Sequence, residues 1–174
     1  MAKVFRTISN ILSTVAVSVA VILAILLVGV RLIGFTPYTV LSGSMEPTYH
    51  VGSLIYVKKV NPATLKAGDP VTYHLSNGTV VTHRIVEVLE EGGLRFRTKG
   101  DANESADFGD PLPASHVIGK PCFTVPYLGY LSHFLSRPQG LVVVLCGTAA
   151  VVLISFMVDA LFPKEKKGSG ENEG

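Results

Sequence analysis

Two cysteines in 174 residues are too few to build a disulfide framework or a thiolate metal site. Cys146 lies within a long apolar run and Cys122 in the polar middle of the chain. The expectation is that they stay unpaired and serve packing, with no metal and no cofactor, because no spacing resembles a ligand set. Charge is scarce as well: 16% of residues carry it, for a formal net of +2. In the middle of the chain Lys and Arg are balanced by Asp and Glu, so the small excess arises in the tails. Without a basic patch a nucleic-acid partner is excluded. Internal repeats are absent, which excludes a solenoid. Charge is almost missing from two apolar runs, where the first charged residues are Arg31 and Asp159, each near its run's end. Two such runs offer no ion path, so a channel component is disfavoured.

What the chain does have is apolar residues, 48% of the total, concentrated in those runs. A bilayer's hydrocarbon core takes about 20 apolar residues to cross as a helix, and both runs are long enough. The expected organisation is a cytoplasmic tail over 1–10, a transmembrane helix over 11–34, an extracytoplasmic domain over 35–137, a second transmembrane helix over 138–162, and a basic, then disordered, cytoplasmic tail over 163–174. Lys3 and Arg6 precede the first run, and Lys164, Lys166 and Lys167 follow the second. Positive flanks stay on the cytoplasmic side, which places both termini there and makes the lipid bilayer a partner. The competing readings are a cleavable secretory signal for the first run and a buried core helix for the second.

The middle domain alternates short β-rich stretches with turn signals. Residues 53–60 read as a strand, and NPATLKAGDP as a loop. Val71–Leu75 is a further strand, closed by SNG, and Thr79–Leu89 the strongest one. Gly92-Gly93 suits a hairpin turn into LRFRT, where Leu94, Phe96 and Thr98 share a face opposite Arg95 and Arg97. Residues 99–113 form an acidic loop, and Val117–Val125 returns to strand. With no strong helix inside it, the domain is expected to be mainly β: a compact β domain flanked by two transmembrane helices.

Three side chains there could do chemistry together. Ser44 sits in SGSMEPT, on a tight backbone, but a serine hydroxyl is a poor nucleophile until a base takes its proton. His83, inside the best strand, is the candidate base, since an ordinary imidazole is mainly neutral at pH 7. The acidic loop supplies Asp101 and Asp107, either of which could orient the imidazole. Taken singly, each has a plain structural alternative: a turn serine, a hydrogen-bonded strand histidine, loop aspartates that make turns.

SGSMEPT at 42–48, GDPVTYH at 68–74, THRI at 82–85 and KGDANESAD at 99–107 resemble, in order and spacing, the successive boxes of the signal peptidase I family. The resemblance implies a mainly β catalytic domain of signal-peptidase type, anchored by transmembrane helices, that removes signal peptides after a small-x-small motif. Preprotein signal peptides are then the substrates, and accessory membrane subunits are admissible partners. Where bacterial members carry lysine before arginine, this chain has His83 before Arg84. That resembles the endoplasmic-reticulum and archaeal branch, also found in some Gram-positive bacteria, which uses serine, histidine and aspartate. By this resemblance Ser44 is the nucleophile and His83 the base. Asp107 aligns best with the third residue, Asp101 matches a second functional aspartate, and the oxyanion hole comprises the Ser44 N–H and the Ser42 hydroxyl. Sequence leaves the choice between Asp107 and Asp101 open.

The layout fits that function. About ten residues separate Gly34 from Ser44, so at about 3.3 Å per extended residue the nucleophile lies within about 33 Å of the bilayer edge. Phe35, Tyr38 and Leu41 could line a membrane-facing approach or pack the first strand; packing is the favoured expectation. Two other classes remain: a membrane-anchored binding module in which the serine box is only a turn, and a self-cleaving regulator. The first requires Ser44, His83 and Asp107 to lie apart. Regulators of the second kind are soluble and use lysine, against both apolar runs and His83.

Overall fold

The computed structural model describes residues 2–161; the tail expected over 163–174 lies outside the described residues. Two compact units form. One comprises the helical residues up to Ala24 together with those from Pro138 onward, and the other is Ile25–Arg137.

Helix α1 spans Ala2–Leu27, its last residues falling in the second unit, so the residues read as a tail over 1–10 are helical from Ala2 onward. Helix α3 spans Pro138–Leu161 and opens on a proline, whose missing N–H is no loss in a first turn. Segments Asn10–Ile33 and Pro138–Val158 are long and apolar enough to cross a membrane, and 0% and 6% of their most apolar windows are buried. The core helix of a soluble protein, the alternative read for the second run, is mostly buried, unlike this one. Ser13 and Ser155 share a hydroxyl hydrogen bond between the two helices.

The second unit is a curled antiparallel sheet of seven strands: β1 (Phe35–Thr39), β2 (Leu54–Lys58), β3 (Pro70–His74), β4 (Val80–Leu89), β5 (Arg95–Lys99), β6 (Leu112–Pro113) and β7 (Val117–Val125). Their order is β1-β2-β7-β3-β4-β5-β6. Strand β7 joins the two halves, pairing with β2 through Lys120–Val125 and with β3 through Val117 and Gly119. Proline cannot donate to a ladder and is tolerated inside sheets chiefly at bulges. Pro121 sits at one: Tyr56 pairs with Phe123 and Val57 with Pro121, leaving Cys122 as the extra residue. Both cysteines are free and exposed, so they do not pair, and the expectation that they serve packing does not hold.

Three apolar clusters hold the sheet's shape. Val71, Tyr73, Ile85 and Phe96 form one with Leu65 and Leu112. Met45, Tyr49, Ile55 and Val57 form the second, with Tyr38 and Val40 against it. Leu54 and Tyr56 form the third with Val30, joined by Phe35 and Leu128. Phe35 therefore packs, edge-on to Phe123 at 5.4 Å between centroids, whereas Leu41 is exposed.

One element departs from the expectation of no helix between the spans. Leu128–Leu135 form a short helix, α2. Eight residues are too few to be helical by propensity alone, and close packing supplies the rest. A side chain at Gly129 would lie 2.4 Å from the Ser53 carbonyl, and one at Gly52 would lie 2.0 Å from the Tyr130 ring. Those two glycines let α2 press onto the turn before β2. The helix stops before Pro138, as residues preceding proline avoid helical backbone.

Candidate active site

The segment leaving β1 carries Ser44 in a single tight turn, Gly43–Met45. Met45 is buried in the second cluster and its carbonyl accepts from the Tyr49 N–H at 2.9 Å, so the turn is anchored immediately after the serine. From the other side, the Ala102 N–H donates to the Ser44 carbonyl at 2.9 Å. Glycine at 100 is needed for this approach, because a side chain there would lie 2.6 Å from that same carbonyl oxygen.

His83 stands in the middle of β4, opposite Val71 of β3. Its Nε2 lies 3.1 Å from Ser44 Oγ and its Nδ1 lies 2.6 Å from Asp107 Oδ2. An ionised carboxylate can only accept, so Nδ1 carries the proton and donates to Asp107. That leaves the Nε2 lone pair facing the serine hydroxyl. The His83 and Asp107 side chains are 12% and 28% exposed, enough cover to hold the ring while leaving the serine reachable. Ser42 Oγ is 3.4 Å from Ser44 Oγ.

Asp101 is placed elsewhere. It faces Arg84, which donates from Nε at 2.7 Å and from Nη2 at 2.6 Å, and it accepts from the Thr48 hydroxyl at 2.5 Å. Arg84 also donates to the Gly68 carbonyl at 2.7 Å. Among the flagged residues, then, Ser44, His83 and Asp107 come together, and Asp101 does not reach the imidazole's carboxylate position. Asp101 ties the strand of His83, through Arg84, to Thr48 just after the serine turn, and Arg84 itself reaches the loop before β3. The Arg84 guanidinium holds the Asp101 carboxyl below the usual carboxylate range, against the opposing effect of burial. The same hydrogen bond raises Arg84.

A carboxyl so lowered contributes stability above its unfolded value, about 3.9 for Asp, and loses it as pH falls through the folded value. Replacing Asp101 by Asn should therefore lower unfolding free energy near neutrality by about 1–2 kcal/mol, discounted because the pair is partly solvated. The gap from the unmutated chain should narrow on acidification through that window. Urea midpoints measured at several pH values check both parts.

Sequence reasoning did not single out Thr48, Tyr73 or Thr98, and it noted Arg84 only as the neighbour of His83. The first two lie inside SGSMEPT and GDPVTYH, so those boxes carried a signal beyond the serine. Thr98 closes the buried face of β5, which reads as core until its neighbours are known.

Ser44 and His83 open on a cavity of about 700 Å³. One wall is the stretch Tyr38–Ser42, the other Thr79 and the start of β4, Val80–Thr82, and α2 contributes His133. Residues Val80–His83 pair with β3 on one side, while β5 pairs with β4 only from Arg84 onward. Among the described residues no strand pairs with the other edge of Val80–His83, and an edge of this kind can template an extended peptide.

Residues 12–90 match the family described as "Signal peptidase, peptidase S26". The chain is 40% identical over 111 residues to Signal peptidase I W of Bacillus subtilis (strain 168), covering 59% of this chain and 58% of that one. It is 33% identical over 102 residues to the signal peptidase complex catalytic subunit SEC11C of Homo sapiens, covering 53% of each. To the corresponding subunit sec11 of Neurospora crassa it is 32% identical over 124 residues, covering 66% of this chain and 72% of that one. The chain thus spans somewhat more than half the length of the first two relatives.

Proposed function

Because the chain belongs to the signal peptidase family, peptidase S26, we propose that it is a membrane-bound serine endopeptidase that removes N-terminal signal peptides from secreted preproteins. The observation that carries this reading is the His83 imidazole lying between Ser44 Oγ and Asp107 Oδ2. As the peptide carbonyl is attacked, the Ser44 hydroxyl proton passes to Nε2 while Oγ bonds to carbon. The imidazolium so formed is stabilised by Asp107. The Ser44 N–H and the Ser42 hydroxyl take the oxyanion, an arrangement whose single donors are worth about 3–4 kcal/mol each in such enzymes. His83 then hands its proton to the departing amine. Water, activated by the same imidazole, releases the acyl group from Ser44.

The substrate strand lies along the free edge of Val80–His83, facing Tyr38–Ser42, and cleavage follows a small-x-small motif. Both termini are cytoplasmic and the β unit is extracytoplasmic, following the positive flanks. The eukaryotic relatives are catalytic subunits of a signal peptidase complex, which supports accessory membrane subunits as partners here. A pure binding module would have no need of an imidazole held between a hydroxyl and a carboxylate.

The test is to incubate the purified full chain, in detergent, with a secretory precursor and read the new N-terminus by mass spectrometry. A single cut after a small-x-small motif is expected. An intact precursor, with the same preparation folded by circular dichroism, would overturn the assignment.

A further inference from the structure

We propose that Thr98 and Tyr73 are positioning residues, a relay of two hydroxyls that fixes Asp107 against His83; the inference rests on the peptidase reading above. Thr98 Oγ1 donates to Asp107 Oδ2 at 2.7 Å. The Tyr73 hydroxyl lies 3.2 Å from Thr98 Oγ1 and 3.4 Å from Asp107 Oδ2. Each hydroxyl has one proton, and a carboxylate has none to give. The Thr98 proton is therefore committed to Asp107, and its oxygen is left to accept from Tyr73, the shorter of the two tyrosine contacts.

Both residues are 4% exposed, so water does not compete for these bonds. Tyr73 comes from β3 and Thr98 from β5, the two strands that pair with β4 on either side. The Asp107 N–H also donates to the Thr98 carbonyl at 2.8 Å, which pins the aspartate's backbone independently of its side chain. Burial pushes the Tyr73 hydroxyl up to about 12, so it stays a donor throughout any working pH range.

The convergence separates this arrangement from ordinary satisfaction of buried hydroxyls. His83 and Thr98 both meet the same carboxylate oxygen, Oδ2, and the Tyr73 hydroxyl, 3.4 Å from that atom, backs them through Thr98 Oγ1. Donors on that atom hold it in line with Nδ1 and draw charge away from it. With them removed, the carboxylate remains near the ring, because its backbone is still pinned, but it carries more charge and is less well aligned. An imidazolium beside it is favoured in the resting state, so the acid limb of the rate profile should move to higher pH.

The experiment compares Thr98→Val, Thr98→Ser, Tyr73→Phe and the double variant Tyr73→Phe/Thr98→Val in the full chain, using precursor cleavage with Ser44→Ala as the blank. In the double variant kcat should fall about tenfold or more with KM unchanged, as for lost hydrogen bonds to a charged group. Its acid limb should shift upward in pH, and Thr98→Ser should keep both parameters near those of the unmutated chain. If the double variant does not fold, Tyr73→Phe alone carries the test, with a smaller fall and the same direction of shift. In parallel, the His83 Nδ1 proton is followed by NMR on chain labelled in its histidines. Its resonance should weaken and move in Tyr73→Phe and in the double variant, and persist in Thr98→Ser. A folded Tyr73→Phe or double variant with unchanged kcat, pH profile and proton resonance would overturn the relay. Unmutated chain no more active than Ser44→Ala would instead sink the peptidase reading, and the NMR comparison would still decide whether the hydroxyls hold the pair.

Discussion

Ser44→Ala should abolish precursor processing, with the rate falling on the order of 10⁴- to 10⁶-fold, while expression, membrane insertion and thermal stability stay near those of the unmutated chain. The contacts that hold this turn are made by the backbone and by neighbours. The Ser44 carbonyl accepts from Ala102, Glu46 N–H donates to the Gly43 carbonyl, and Met45 is buried just after it. None of them uses the Ser44 hydroxyl, so alanine removes the attacking oxygen and little else. Pulse-labelling of a secreted precursor in cells depleted of other processing activity gives the first readout, and purified protein the rate. Processing that persists at more than about a hundredth of the original rate would mean another group attacks.

The second large effect separates the two aspartates. In Asp107→Asn the amide nitrogen can donate to Nδ1, which stabilises the tautomer with its proton on Nε2. The serine hydroxyl would then meet an N–H instead of a lone pair. A loss of about 10⁴-fold in kcat is expected from such a tautomer switch, with a smaller change in stability, since the Asp107 N–H and its bond to the Thr98 carbonyl remain. Asp101→Asn should show the opposite balance. Its carboxylate serves the Arg84 fork and the Thr48 hydroxyl, so stability falls and turnover suffers far less. Measuring kcat and urea midpoint for both variants gives a crossed pattern. If Asp101→Asn lost more turnover than Asp107→Asn, the roles drawn from the distances would have to be exchanged.

Much of this arrangement is visible in the amino-acid order, and the exceptions have physical causes. The strands over 54–58, 70–74 and 95–99 follow from β-branched and aromatic residues between Gly, Pro and Asn signals. Strand β4 alternates only in part because Val86 is an extra residue: Ile85 pairs with Thr98 and Glu87 with Arg97, which shifts the faces by one. Helix α2 escaped notice because its stability lies in contacts with Gly52 and Ser53, seventy-odd positions earlier in the chain. The choice between Asp101 and Asp107 could not be read from spacing, since both follow β5 within one loop. It depends on which carboxylate the loop turns toward β4's His83 and which toward Arg84, the very next residue. The relay hydroxyls were hidden for a similar reason, because a threonine on the buried face of a strand looks like packing until a carboxylate is found beside it.

The most direct test of the chemistry is the pH dependence of a single turnover, with enzyme in excess over precursor so that product release does not limit the rate. The transfer of a proton from Ser44 to His83 requires a neutral ring. The rate should therefore decline on acidification from about pH 8 to about pH 5, above the range where loss of the Asp101 contribution would begin to weaken the fold. A rate that stays level across that interval, in protein shown to remain folded, would contradict an imidazole base.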